Sequence, residues 1–360
     1  MLKVSLIFAL FTFFLFASGG FAQTLDQRLD SYFSDYNRPD LPGASVAIYH
    51  KGQIVIAKAY GSARLSSSEQ ASTSTNYRLA SVSKAFTAMA IMILQERGHL
   101  AYDDAITKHL KDFPVYGQKV TIRHLLNHIS GLRDYEELIP GGTTTQVTDA
   151  DVVRILAGQN STYFTPGTQY RYSNSGYATL AHLVSVVSGQ SFASFLKQEV
   201  FLPLGMEKTV AYEKGVSEVH QRAYGHEPNG SRYREADQSL TSAVLGDGGI
   251  YTSVEEYFFW DQALYTGQLV SLATLEQAFT PGTLANGSRT SYGFGWQVDT
   301  WRGLKRVSHT GSTIGFKTAV TRIPGRELTV LVLVNRGNAA PWDKAKKILE
   351  MYVDEFSSTF

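Results

Sequence analysis

At 360 residues, 43% of them hydrophobic, the chain is long enough for one large or two lobed domains around a buried core. A formal net charge of +1, with no run of Lys or Arg, excludes recognition of nucleic acid or an acidic membrane surface by bulk charge. There is no cysteine, which excludes a disulfide framework, a lipoprotein anchor and a thiolate nucleophile.

Lys3 followed by the apolar run Val4 to Ala17, with small residues at Gly20 and Ala22, predicts a secretory signal peptide over residues 1–22. The run is short for a membrane span, so an uncleaved anchor is the lesser alternative. Export without disulfides suits the bacterial periplasm or outer surface. Ala44 to His50 and Gln53 to Gly61 are β-rich and flank the turn Lys51-Gly52, which predicts a hairpin. From Ser81 to about Val200 the signals are mostly helical. Ala85 to Leu94 is an apolar helical run, Leu125, Leu126 and Ile129 form a short stripe ended by Gly131, and Ala150 to Ala157 ends at Gly158. Tyr177 to Val187 gives a further helix, stopped by Ser188-Gly189. Strand signals return at Phe294–Val298, Arg306–His309, Phe316–Arg322 and Leu328–Val334, with Pro324-Gly325 as a hairpin turn. Asp343 to Phe356 reads as a closing amphipathic helix. The expected fold class is α+β: an antiparallel β-sheet flanked by N- and C-terminal helices, plus an inserted all-helical lobe. The expected domain covers 23–357, with a sheet lobe over about 24–80 and 245–357 and a helical lobe over about 81–244.

Ser81-x-x-Lys84 opens the apolar helix, and residues three apart lie one turn apart on the same face. A serine hydroxyl needs a base to become a nucleophile, and a desolvated lysine amine can serve. The free N–H groups of a helix start favour an oxyanion there. The spacing alone is weak, because Ser194-x-x-Lys197 repeats it on a surface-type helix and reads as structural. Tyr172-x-Asn174 precedes a helix expected to begin near Gly176, and alternation in an extended turn lets the phenol and the amide face one cleft. A phenol beside two cations ionises more readily and can act as general base, then acid. His309-Thr310-Gly311 ends a strand, with His309 and Gly311 on one face; the glycine would let a substrate backbone approach an edge strand. The backbone N–H groups of Ser81 and Ser312 would form an oxyanion hole.

Together these motifs resemble the serine β-lactamase and penicillin-binding protein superfamily, in the branch that holds class C β-lactamases, D-alanyl-D-alanine carboxypeptidases, D-aminopeptidases and related esterases. The resemblance extends to Ile122–Leu132, Phe164–Tyr177, Pro203–Met206, Gly293–Trp296 and His309–Phe316, and covers the chain from about Leu25 to Val353. It implies a β-lactamase/transpeptidase-like fold, no metal or organic cofactor, and a small peptide, ester or β-lactam as substrate. It also implies Ser81 as nucleophile, Lys84 and Tyr172 as the proton-transferring pair, and Asn174, His309, Thr310, Gly311 and Ser312 as substrate- or oxyanion-binding residues. Asn174 would orient the acyl side chain or Lys84, and His309 would sit across the cleft from Tyr172.

The third motif departs from the Lys-Thr-Gly usual in β-lactamases of this branch, for Lys317-Thr318 runs into Ala319. Histidine there is mostly neutral at pH 7, which shifts the expectation from an antibiotic-degrading enzyme toward a D,D-peptidase, D-aminopeptidase or esterase. His124-x3-His128 has zinc-ligand spacing but lacks the glutamate of His-Glu-x-x-His and a clear third ligand. No Gly-x-Ser-x-Gly elbow occurs, which excludes an α/β-hydrolase. A penicillin-binding sensor that acylates without turnover is the non-enzymatic alternative.

Overall fold

The structure, a computed structural model, describes residues 23–356. The expected signal peptide lies outside the described residues. Helix α1 (Leu25–Tyr32) begins on Thr24, whose hydroxyl accepts the Gln27 N–H while the Gln27 side chain accepts from the Thr24 backbone. β1 (Ala44–His50) and β2 (Gln53–Tyr60) form the hairpin, with Lys51 and Gly52 at positive φ in its turn. The helical segment holds α2 (Lys84–Glu96), α3 (Ile122–Leu126), α4 (Asp149–Ala157) and α5 (Asn174–Ser188). α6 (Val254–Thr266) then leads to β3 (Gln297–Trp301), β4 (Leu304–Thr313), β5 (Phe316–Ile323), β6 (Leu328–Val334) and α7 (Pro341–Glu355).

These six strands make one antiparallel sheet in the order β3-β4-β5-β6-β1-β2. β6 is buried at every position because it lies inside the sheet with layers on both faces. Alternation sends Val46, Ile48, Val330 and Val332 to the face covered by Leu29 of α1 and by Ile348 and Leu349 of α7. Ala47, Tyr49 and Leu331 face the larger core, which includes Phe86 of α2 stacked on Trp260 of α6 at 4.0 Å. A buried ion pair joins α6 to the sheet: Arg322 Nε donates to Asp261 Oδ1 at 2.7 Å, and the Thr329 hydroxyl donates to the same oxygen at 2.7 Å. Among the described residues no single helix is long and apolar enough to cross a membrane.

The mixed helix and antiparallel-sheet architecture matches the expectation, with two local differences. The middle segment is not purely helical, since His226–Asn229 and Arg232–Glu235 pair around a two-residue turn in which Gly230 has φ 61°. The strand expected over Phe294–Val298 starts only at Gln297. Gly295, at φ 79°, turns the chain against α2, where a Cβ would stand 2.8 Å from the Ala85 nitrogen. Gly293 to Trp296 therefore packs beneath the helix that follows Ser81 instead of joining the sheet.

Candidate active site

Ser81 lies in a 3₁₀ turn, Ala80–Ser83, that runs directly into α2. Ala80 takes a left-handed φ of 49°, a conformation that costs an alanine about 1 kcal/mol and holds only where surrounding contacts fix it. Gly311 is one such contact. A Cβ on it would meet the Leu79 carbonyl at 2.2 Å and Thr318 Oγ1 at 2.3 Å, so this glycine exists to seat the Ser81 turn on the sheet. Substrate approach is the role expected of this glycine from its place in the motif. The close neighbour is the protein's own backbone.

Lys84 is fully buried (0% exposed), and its amine has three partners: Ser81 Oγ at 3.1 Å, Asn174 Oδ1 at 2.9 Å and the Asp247 carbonyl at 2.8 Å. Asn174 Oδ1 and a backbone carbonyl can only accept. They hold two N–H bonds of Lys84 whatever its charge. The third position faces Ser81, the one partner able to donate, so a neutral amine must point its lone pair at the serine hydroxyl.

Tyr172 and Asn174 both lie beside Lys84, and α5 begins at Asn174 itself, capped by Ser173, whose hydroxyl accepts the Gly176 N–H. Lys84 Nζ stands 5.0 Å from the Tyr172 ring centroid. Tyr172 is 38% exposed, as its neighbour Tyr170 is at 39%, whereas Tyr177 and Tyr292 are fully buried. The Asn174 amide donates to Glu136 Oε1 at 3.2 Å, so both ends of this amide are engaged.

His309 is buried, its ring 6.2 Å from that of Tyr172. Its Nδ1 donates to the Thr310 carbonyl at 2.7 Å, and its Nε2 accepts from the Tyr292 hydroxyl at 2.8 Å. Burial first, and then Lys84, push the imidazole down to about 3 against the pull of the Thr310 carbonyl. It is neutral at physiological pH. His309 is therefore not one of the two cations expected beside Tyr172. Thr310 and Ser312 point away from the buried face of β4. β3 pairs with β4 only as far as Ser308, so residues 309–313 leave their outer edge uncovered. Ser312 lines a narrow cavity with Ser81, Arg78, Glu136, Asn174 and Asp247.

Several of these groups carry no motif. The turn Leu245–Gly248 offers three successive carbonyls to the segment around Ser81: Gly246 to the Thr87 hydroxyl at 2.7 Å, Asp247 to Lys84, and Gly248 to Arg78 Nε at 3.0 Å. Asp149 holds the turn from behind, accepting the N–H groups of Leu245 at 3.0 Å and Gly246 at 3.1 Å. The Asp247 carboxylate accepts from the Tyr135 hydroxyl at 3.1 Å, and burial pushes it up to about 6 despite Lys84 and that hydrogen bond. The signal available in sequence was the glycine pair around Asp247, a stretch that permits close approach on both sides.

Burial pushes Asp149 up to about 8, opposed by its backbone hydrogen bonds and reinforced by Asp247. An unfolded aspartate releases its proton near pH 4, so between about pH 4 and 8 the folded chain binds the extra proton. This contribution to stability is therefore fully present at the acid end and is lost as pH rises through about 8. Asp149→Asn, neutral throughout, is expected to flatten the fall in melting temperature between about pH 5 and 8. An unchanged slope in thermal melts of the variant would contradict this.

The duplicate motif does not form a site. Ser194 is exposed, and its hydroxyl reaches only Gln190 Oε1 at 3.5 Å. His124 and His128 each spend Nδ1 on a backbone N–H, of Thr121 and Ser173 respectively, which accounts for the pair as structural groups.

A sheet with terminal helices on one face, and a Ser-x-x-Lys turn between that sheet and a helical lobe, define a serine β-lactamase/penicillin-binding protein fold. The chain belongs to that superfamily, and the family model described as Beta-lactamase matches residues 21–352. Its members are serine hydrolases of related chemistry. Penicillin-binding protein 4* of Bacillus subtilis is 32% identical over 338 residues, covering 90% of this chain and 74% of that protein. A D-aminopeptidase of Brucella ovis is 27% identical, over 86% of this chain but only 59% of its own length. Among solved structures, an octameric penicillin-binding protein homologue from Pyrococcus abyssi superposes with a TM-score of 0.78 at 25% identity, over 92% of this chain and 77% of that one. The D-amino acid amidase of Ochrobactrum anthropi SV3 gives 0.77 at 19% identity, over 93% and 99%, a likeness of fold alone.

Proposed function

We propose that the protein is an exported serine hydrolase that cleaves small amides or esters through a Ser81 acyl-enzyme, in the manner of a D,D-peptidase or D-aminopeptidase. The observation that carries this reading is the Lys84 amine, held by two acceptor-only oxygens so that its remaining position faces Ser81. In the proposed course Ser81 Oγ attacks the carbonyl carbon while its proton passes to the Lys84–Tyr172 pair. The N–H groups of Ser81 and Ser312 hold the oxyanion. Tyr172 protonates the departing amine or alcohol, and water then attacks the acyl-enzyme, its proton returning through the same pair. A neutral His309 supplies no fixed charge for a substrate carboxylate, which weighs against an efficient β-lactamase. The Glu136 carboxylate, exposed beside Asn174, suits a free ammonium on the acyl side, the group an aminopeptidase substrate carries.

Lys84→Ala and Tyr172→Phe are each expected to lower kcat on a chromogenic ester about a hundredfold or more. The test of the whole reading is a panel of D-Ala-D-Ala peptides, D-amino-acid amides and nitrophenyl esters with free or acetylated amines, and nitrocefin, with intact-mass detection of adducts. Turnover of amides or esters supports it. A trapped penicillin adduct with no turnover of any member would replace it with a sensor, and preferential hydrolysis of nitrocefin with a β-lactamase.

A further inference from the structure

His128 has no part in the chemistry above, yet it is fully buried beneath it. It follows α3 in a left-handed conformation, φ 58°, which is uncommon outside glycine. That backbone turn brings its carbonyl and its ring to bear on one neighbouring segment. The carbonyl accepts the N–H of Arg171 at 2.9 Å, and ring Nδ1 accepts the N–H of Ser173 at 3.1 Å. The residue between those two is Tyr172. The imidazole also lies against the Tyr172 ring, centroids 4.2 Å apart, and touches Tyr177 at 5.0 Å and Tyr292 at 4.4 Å.

Because Nδ1 accepts, the ring is the neutral tautomer with its proton on Nε2, an atom with no hydrogen-bond partner among the described residues. Burial, with Lys84 and His309 adding to it, keeps the ring neutral. A protonated ring would turn an N–H toward the Ser173 N–H and lose the contact.

We propose that His128 is the positioning residue of Tyr172, fixing the backbone on both sides of it and the plane of its ring so that its hydroxyl meets the leaving group. The proposal rests on the acid–base reading of Tyr172, and a double-variant cycle separates the two.

His128→Leu removes the ring acceptor and is expected to lower kcat on a nitrophenyl ester roughly tenfold to a hundredfold, with KM within about twofold. His128→Asn places Oδ1 where Nδ1 stood and tolerates the left-handed backbone, so its kcat should stay within about threefold of the parent. In a Tyr172→Phe background, His128→Leu should cost nothing further. Should the leucine variant not fold, His128→Gly, for which this φ is free, carries the same two comparisons. An unchanged kcat in the leucine or glycine variant, or a loss in asparagine equal to that in leucine, would overturn the proposal. So would a full further loss in the Tyr172→Phe background, which would mean that His128 acts on some other group. Full activity in Tyr172→Phe alone would instead remove the role of Tyr172, and the positioning role with it.

Discussion

Ser81→Ala is expected to abolish turnover of every substrate the parent hydrolyses, a loss of about a thousandfold or more in kcat. Among the hydrogen-bond partners of Lys84 only this hydroxyl can exchange a proton with it, since the other two are carbonyl oxygens. Removing it takes away both the proposed nucleophile and the hydroxyl partner of the Lys84 amine. The fold should be unaffected, because Ser81 is half-buried and alanine fits a turn that already holds Ala80. Ser194→Ala is the internal control and should leave activity intact. Intact-mass spectra after incubation with an activated ester or a penicillin should show an adduct on the parent and none on Ser81→Ala. An adduct or normal turnover in Ser81→Ala would sink the assignment, and selective loss in Ser194→Ala would move it to the other motif.

The largest stability effect is expected at Asp261. It and Arg322 are both 0% exposed, and the carboxylate also accepts the Thr329 hydroxyl, so α6, β5 and β6 meet at one ion pair. Removing the carboxylate alone leaves a guanidinium buried without its counter-charge. Breaking a buried pair from one side costs about 3–5 kcal/mol, more than most single changes. Asp261→Ala should therefore lower the denaturation midpoint strongly. Asp261→Ala with Arg322→Met should recover much of the loss, since a well-packed apolar replacement spares the desolvation of both charges. A double variant no more stable than Asp261→Ala would show that the loss comes from packing around α6 and not from the stranded charge. Because the pair lies away from Ser81, the folded fraction of each variant should keep its specific activity.

What was legible in the sequence was what local chain pattern determines. The Ala44–Gly61 hairpin carries its turn residues in line, the apolar run after Lys84 is a buried helix, and Leu328–Val334 reads as an interior strand without help from its neighbours. Ser81, Lys84, Tyr172 and Asn174 were legible because motif spacing and resemblance mark them, and they come together at Lys84. The residues that hold those groups were not. Asp247 reaches Lys84 across 163 positions, Asp149 reaches Gly246 across 97, and His128 reaches Ser173 across 45, each through a backbone atom that leaves no trace in residue type. Gly311 and Gly295 were visible as glycines, but which surface crowds them depends on how the sheet meets α2. The strand placed at Phe294 failed for that reason.

The Leu245–Gly248 turn has a consequence for when the protein becomes an enzyme. Three side chains of the segment around Ser81 each find an acceptor in a stretch made some 160 residues later. A chain still emerging from synthesis carries Ser81 and Lys84 before Asn174 and the Asp247 carbonyl, the two oxygens that hold the amine. Contacts of such sequence separation form late in folding. The arrangement proposed for catalysis is thus incomplete until the second half of the chain arrives.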